Sequence, residues 1–310
     1  MAIIMVPGAV PQATGHDPCV MLGRMPAQPG RPDPAPTLLA LSDLHVGYRE
    51  NRALLADLRP RSERDWLLVP GDVAERFADV EWALRTLTER FAQVVWAPGN
   101  HELWTHGRDE VKLRGQDRYQ ALVGLCRDLG VITPEDPYPV WDGPGGPAVI
   151  VPTFLLYDYS WRPDGARTKE EALEMAYDSG VVCSDERLLH PDPWPSREAW
   201  CWARVDETSG RLATLDSDLP LIFVNHFPLV REPTRVLRYP PFAQWCGTDR
   251  TRDWHRKYHA AAVVYGHLHI PRTTWYDGVR FEEVSTGYPR EWRRRGAPPG
   301  VPRQILPAPD

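Results

Sequence analysis

Carboxylates, imidazoles and one carboxamide stand at the ends of short apolar runs in this chain. Val94-Val95-Trp96-Ala97 stops at Pro98-Gly99-Asn100-His101-Glu102, where a tight turn delivers an amide oxygen, an imidazole and a carboxylate at adjacent positions. The same grammar recurs. Thr37 to Ser42 ends at Asp43-Leu44-His45, and Trp66 to Val69 ends at Pro70-Gly71-Asp72. Leu221 to Val224 leads to Asn225-His226, and Ala261 to Tyr265 leads to Gly266-His267-Leu268-His269. Half of the ten histidines follow such a run. Mixed imidazole and carboxylate donors suit Mn, Fe or Zn. One metal needs fewer groups than these. Two metals sharing a bridging carboxylate account for the whole set; such pairs, ~3.5–4 Å apart, activate a water and clamp both oxygens of phosphoryl transfer. A single histidine in apolar surroundings is ordinarily a hydrogen-bonded structural residue, but five in register point to metal. His16, His106, His190, His255 and His259 fit no such pattern and read as surface or capping groups. Glu102 alone reads as a helix-start carboxylate.

The elements that must hold these groups alternate. Between the first two runs, Asn51 to Leu58 is a short helix candidate. Residues 78–92 make a stronger one, with Val80, Leu84, Leu87 and Phe91 on one stripe. Tyr119, Leu122, Leu125 and Leu129 mark a third, with Gly130 as its stop. Strand, helix, strand, helix, strand is an α/β pattern. Open α/β sheets bind ligands at the C-terminal strand edge, where these polar groups fall. A further strand is expected at Ala148 to Val151. Thr273 to Tyr276 and Val279 to Val284 flank Asp277-Gly278, a hairpin signal. Residues 155–218 interrupt the rhythm with Tyr157, Tyr159, Trp161, Trp194, Trp200 and Trp202, and carry helix candidates at Lys169–Tyr177 and Ser196–Leu215. They read as a cap-like insertion, since strand grammar resumes afterwards. Their aromatic residues read first as local packing.

Composition sets the outer bounds. The 310 residues are 42% hydrophobic and 25% charged, ample for one large domain. A net charge of −6 argues against an extended nucleic-acid surface. No apolar run approaches the ~20 residues of a membrane-spanning helix. The five cysteines are odd in number and lack a C-x-x-C spacing, so neither a disulfide framework nor a zinc knuckle is expected, and a reducing cytosol is. Residues 1–36 hold eight Pro and four Gly and read as a disordered tail. Residues 293–310, basic and then Pro-rich, read as a loose C-terminal tail, leaving 37–292 as the domain.

The five stretches, in order, resemble the signatures of the calcineurin-like metallophosphoesterases. That resemblance implies a four-layer α/β/β/α sandwich with two central sheets. It implies that Asp43, His45 and His269 hold one metal, that Asn100, His226 and His267 hold another, and that Asp72 bridges them. It places His101 beside the leaving oxygen as general acid or phosphate stabiliser. The neutral amide of Asn100 suits this chemistry by limiting the negative charge that faces an anionic ester. In the protein-phosphatase branch a carboxylate and an Arg follow the Gly-Asp motif, one orienting the catalytic His and the other binding phosphate; Glu75 and Arg76 stand there. Phe77 departs from the Gly of that branch. A further resemblance, over His101-Glu-Leu-Trp104, Val224-Asn-His-Phe-Pro-Leu229, Tyr265 to Tyr276 and Gly287-Tyr-Pro-Arg-Glu-Trp292, is to actinobacterial 4′-phosphopantetheinyl hydrolases. It implies a holo carrier protein as substrate. Of the metals that the donor set tolerates, Mn or Fe is expected, with Zn as an alternative. Carrier proteins are acidic, so Arg290, Arg293, Arg294 and Arg295 are a candidate docking patch. The other readings are a phosphodiesterase of small molecules such as cyclic nucleotides, and an inactive scaffold of the same fold.

Overall fold

The computed structural model describes residues 34–296 and 301–309. In chain order its elements are β1 (Leu38–Ala40), α1 (Arg49–Asp57), β2 (Trp66–Pro70), α2 (Phe77–Thr88), β3 (Gln93–Ala97), α3 (Gly115–Asp128), β4 (Val140–Trp141), β5 (Ala148–Pro152), α4 (Lys169–Asp178), α5 (Asp185–Leu188), α6 (Arg197–Ala213), β6 (Leu221–Val224), α7 (Trp254–Lys257), β7 (Ala260–Tyr265), β8 (Arg272–Tyr276), β9 (Val279–Glu283), α8 (Pro289–Arg295) and β10 (Arg303–Leu306). One sheet has the order β10-β1-β2-β3, the other β4-β5-β6-β7-β9-β8. Strands β1, β2 and β3 pair in parallel, as do β5, β6, β7 and β9.

The unbroken apolar runs follow from burial on both faces. Alternate side chains enter different cores, because a strand points successive residues to opposite sides. Leu38, Ala40, Leu68, Val95 and Ala97 of one sheet meet Ile150, Ile222, Val224, Ala262 and Val264 of the other. Leu39, Leu67, Val69, Val94 and Trp96 turn outward to the helices. In α2 the buried stripe is Val80, Ala83, Leu84 and Leu87. Full burial of such a leucine contributes about 1.5–3 kcal/mol. After α3, Gly130 takes a left-handed φ of 73°. The result is the expected α/β/β/α sandwich of two central sheets. Asp277 and Gly278 both have positive φ, as a two-residue hairpin turn requires.

The C-terminal segment differs from its sequence reading. Arg303–Leu306 is no loose tail but an antiparallel edge strand, with Leu306 opposite Leu38 and Arg303 opposite Ala40. Ile305 and Leu306 supply the physical reason, since both enter the core between the sheets. Residues 1–33 of the Pro-rich segment lie outside the described residues. The interruption between β5 and β6 forms α4, α5 and α6. Tyr157, Tyr159, Trp161 and Trp200 are buried in the same core as α2 and α3, whereas Trp194 and Trp202 are partly exposed. His255, read as a surface or capping group, is buried and bonds Asp277 at 2.9 Å. No helix among the described residues is long and apolar enough to cross a membrane.

Candidate metal centre

Parallel strands bring their C-terminal ends to one edge, and there the expected donors converge. Asp43 and His45 follow β1, Asp72 follows β2, Asn100 and His101 follow β3, His226 follows β6, and His267 and His269 follow β7. The two sheets meet at this edge, where Ser42 bridges Ser285. Five of these groups sit on strained backbone. Asp43, His45, Asp72, His267 and His269 have φ between 41° and 70°, a region that side chains other than glycine rarely occupy. Such strain persists only where its surroundings impose it, and it clusters at functional sites.

Three overlapping groups could each hold an ion: Asp43, His45 and His269; Asp72, His226 and His267; and His45, Asp72 and His101. Asp72 links them. Its Oδ2 lies 3.4 Å from His226 Nε2, 3.7 Å from His101 Nε2 and 3.9 Å from His45 Nε2. Asp43 Oδ1 lies 3.0 Å from His269 Nε2. Asn100 Oδ1 lies 3.1 Å from His226 Nε2. Asn225, by contrast, belongs to the turn, since its amide donates to Phe227 O and accepts from Thr153.

The donor set fits a cation. Imidazole nitrogens face one another at 3.3 Å between His45 and His269 and at 3.2 Å between His226 and His267. The nitrogens that face the cluster are Nε2 of His45 and Nδ1 of His267, and the other ring nitrogen of His45 lies 3.6 Å from Glu75 Oε1. Outer partners aim the rest. His226 Nδ1 is 2.9 Å from Pro70 O, and His269 Nδ1 is 2.6 Å from Glu291. A nitrogen tied up in this way leaves Nε2 as the atom free to face a cation. Ser42 and Ser285 donate to Asp43 at 2.6 and 2.7 Å.

Without a cation, protons carry the balancing charge. Burial would lower the pKa of His226, but Asp72 outweighs it and lifts it to about 10. Burial likewise opposes His269, yet Asp43 and Glu291 raise it to about 9. Burial, then the charge of His226, drives His267 well below its ordinary value. Burial alone would raise Asp72, but His101 and His226 hold it well below the carboxylate range.

Glycines make this crowding fit. A Cβ on Gly99 would fall 2.1 Å from Asp72 Oδ1, and one on Gly266 would fall 2.2 Å from Asp43 Oδ2.

Glu75 and Arg76 part company. Glu75 Oε1 lies 3.1 Å from His101 Nδ1, where it orients the ring. Arg76 is not brought to the cluster. Its guanidinium is half-exposed and pairs with Asp79 at 2.6 Å, three residues on in α2. One supporting group was misread in the sequence and three went unread. Glu102 starts no helix; it is buried and accepts from the N–H groups of Asp72, Val73 and Gly99 at 3.0, 3.0 and 3.1 Å, binding the second and third motifs together. Asp185, Ser285 and Glu291 hold Asn100, Asp43 and His269 from far away in the chain. Only Glu291 carried a signal, inside the stretch Gly287 to Trp292. Of the arginine cluster, Arg293 pairs with Glu50, and Arg295 donates to His269 O and Thr286 O.

A cleft opens over the donors. Its polar wall includes Asp72, Asn100, His101 and His269, and its other side includes Val182 and Phe242. The Phe242 ring stacks on His267 with centroids 5.6 Å apart.

Comparison with known proteins agrees with this geometry. A family model described as calcineurin-like phosphoesterase matches residues 36–271. The acyl-carrier-protein phosphodiesterase PptH of Mycobacterium tuberculosis is 57% identical over 274 residues, which cover 88% of this chain and 84% of that protein. The crystal structure of phosphopantetheinyl hydrolase PptH from the same organism matches with a TM-score of 0.87 at 56% identity, over 89% of this chain and 97% of that one.

Proposed function

This chain belongs to the calcineurin-like phosphoesterase family, and on that premise we propose that it hydrolyses 4′-phosphopantetheine from the serine of a holo carrier protein. The observation that carries the reading is the overlap of three donor groups, two of them sharing Asp72 and two sharing His45, with a buried, oriented His101 in the group that links the other two. The substrate class comes from the similarity to PptH, which spans most of both chains. In this reading Asp43, His45 and His269 would hold one metal, Asn100, His226 and His267 would hold the other, and Asp72 would be shared between them. Mn or Fe suits the mixed imidazole, carboxylate and amide set. Two bound ions supply Lewis acidity toward a phosphoryl oxygen and a water of lowered pKa.

The chain's own residues do the rest. Glu75 fixes Nδ1 of His101, which leaves Nε2 for the leaving oxygen. Burial would lower the pKa of His101, but Asp72 and Glu75 outweigh it and raise it, and the Glu75 carboxylate at Nδ1 favours the protonated ring that a general acid needs. That proton goes to the serine oxygen as its bond to phosphorus breaks. The water oxygen stays on phosphorus, and the products are free serine and 4′-phosphopantetheine. Val182 and Phe242 offer the pantetheine arm an apolar side of the cleft. The four described cysteines are buried and unpaired, as befits a reducing cytosol.

Hydrolysis in ¹⁸O-water tests the reading. The label is expected in released 4′-phosphopantetheine and absent from the carrier serine. Label on the serine would place attack at the wrong atom. Turnover of cyclic nucleotides alone, with the carrier untouched, would overturn the substrate assignment.

A further inference from the structure

We infer that Asp185, on the segment between β5 and β6, is a positioning residue that fixes which way the Asn100 amide points. The inference rests on the reading of Asn100 as a metal ligand. Asp185 is wholly buried at the start of α5. Its Oδ1 accepts from Asn100 Nδ2 at 2.9 Å and from Trp104 Nε1 at 2.6 Å, and its Oδ2 accepts from the Tyr157 hydroxyl at 2.8 Å. An ionised carboxylate is an acceptor only. It therefore requires Asn100 to present its NH₂ group, which turns Oδ1 toward His226 Nε2. An amide with no such partner can rotate about its last torsion and offer nitrogen in place of oxygen. A buried carboxylate is an expensive acceptor for a merely structural contact, and a neutral amide at this position could itself donate to Asn100 and reverse it.

The support is over-determined. Arg197 of α6 donates to Asp185 O at 2.6 Å, to Leu189 O at 2.9 Å and to Glu186 at 2.9 Å, clamping α5. Thr105 N–H donates to Leu188 O at 2.9 Å, and Trp104 forms a bridge with Leu189. The loop after β3 is thus stitched to the segment that carries Asp185. The same carboxylate holds Trp104, whose ring lies 3.7 Å from that of His101. The interrupting segment is therefore part of the metal centre's scaffold as well as a wall of its cleft.

Calorimetric titration of the metal-free full chain with Mn²⁺ tests this. The wild type is expected to take up two ions. Asp185→Asn should weaken one of the two sites by about 10–100-fold, the usual effect of losing an outer partner, and leave the other unchanged. Tyr157→Phe removes a contact to the same carboxylate without touching Asn100 and should bind as the wild type does. In an Asn100→Ala background, Asp185→Asn should have no further effect, because there is no amide left to orient. Wild-type binding by Asp185→Asn would overturn the proposal. So would an undiminished effect in the Asn100→Ala background, which would mark a simple loss of charge, or equal weakening by Tyr157→Phe, which would mark general loosening. Wild-type affinity at both sites in Asn100→Ala itself would instead remove Asn100 from the ligand set.

Discussion

Gly99 sits against the carboxylate that joins the donor groups, and Gly99→Ala should disable the centre without altering a ligand. The added Cβ would lie 2.1 Å from Asp72 Oδ1 and 2.5 Å from Asp72 N, whereas real Cβ contacts stay beyond 3.0 Å. From 2.1 to 3.0 Å, the carboxylate must retreat by about 0.9 Å, or the two loops must part. Neither is easy. Asp72 Oδ1 accepts the His101 N–H at 3.0 Å, and Glu102 ties Gly99 to Asp72 and Val73. Losing one buried bond of this kind costs about 1–3 kcal/mol. A misplacement of about 1 Å in reacting geometry costs on the order of 100-fold in rate. Diester hydrolysis at saturating Mn²⁺, with metal content measured on the same sample, reads both effects. The expected result is a kcat lowered about 100-fold and fewer than two bound ions per chain. A variant that keeps two ions and a kcat within about threefold of wild type would refute the reasoning, because the close approach would then not constrain Asp72.

Other outcomes follow from the same geometry. In the metal-free protein, His226 and His269 are raised from 6.5 to about 10 and about 9. Groups raised in the folded state stabilise it fully below their unfolded value and lose that contribution as pH rises through the folded value. The thermal stability of the metal-free chain should therefore fall from neutral pH toward pH 10, while Mn²⁺ loading near neutral pH should release protons from both imidazoles. A flat melting profile and metal uptake without proton release would contradict this. Arg76→Ala should leave kcat unchanged and shift stability by about 1 kcal/mol or less in urea, since the Arg76 guanidinium is half-exposed and the buried Asp79 keeps Arg52 at 2.9 Å; a large loss of kcat would return Arg76 to the active site. Glu102→Gln turns an NH₂ group toward backbone N–H donors and should destabilise by at least about 2 kcal/mol, with a loss of bound metal; an unchanged denaturation midpoint would count against its tethering role.

Much of this site was legible in the sequence because its candidate ligands obey a local rule. Each follows a strand buried on both faces, and such strands announce themselves as unbroken apolar runs. Parallel pairing then carries the run ends to one edge, so order along the chain becomes proximity in space. The supporting shell obeys no local rule. Asp185 reaches Asn100 across 85 residues and Ser285 reaches Asp43 across 242, and neither position differs in type from many surface residues. Glu102 misled for the opposite reason, since an acidic residue after a turn resembles a helix start until its burial is known. Arg76 was placed by motif spacing, but spacing does not say which way a side chain turns, and Asp79 three residues on provides a nearer partner. The strand at Arg303–Leu306 was hidden by flanking prolines and by having only Ile305 and Leu306 to bury.

Intact mass spectrometry of a holo carrier protein, incubated with this chain and Mn²⁺ beside a His101→Ala control, tests the central claim most directly. The account predicts loss of the whole phosphopantetheine mass with the wild type. For His101→Ala it predicts a rate lower by about 10²–10⁴-fold, with two ions still bound. A carrier that keeps its full mass, while a generic diester is cleaved, would contradict the substrate assignment; undiminished release by His101→Ala would contradict the proton transfer on which the mechanism turns.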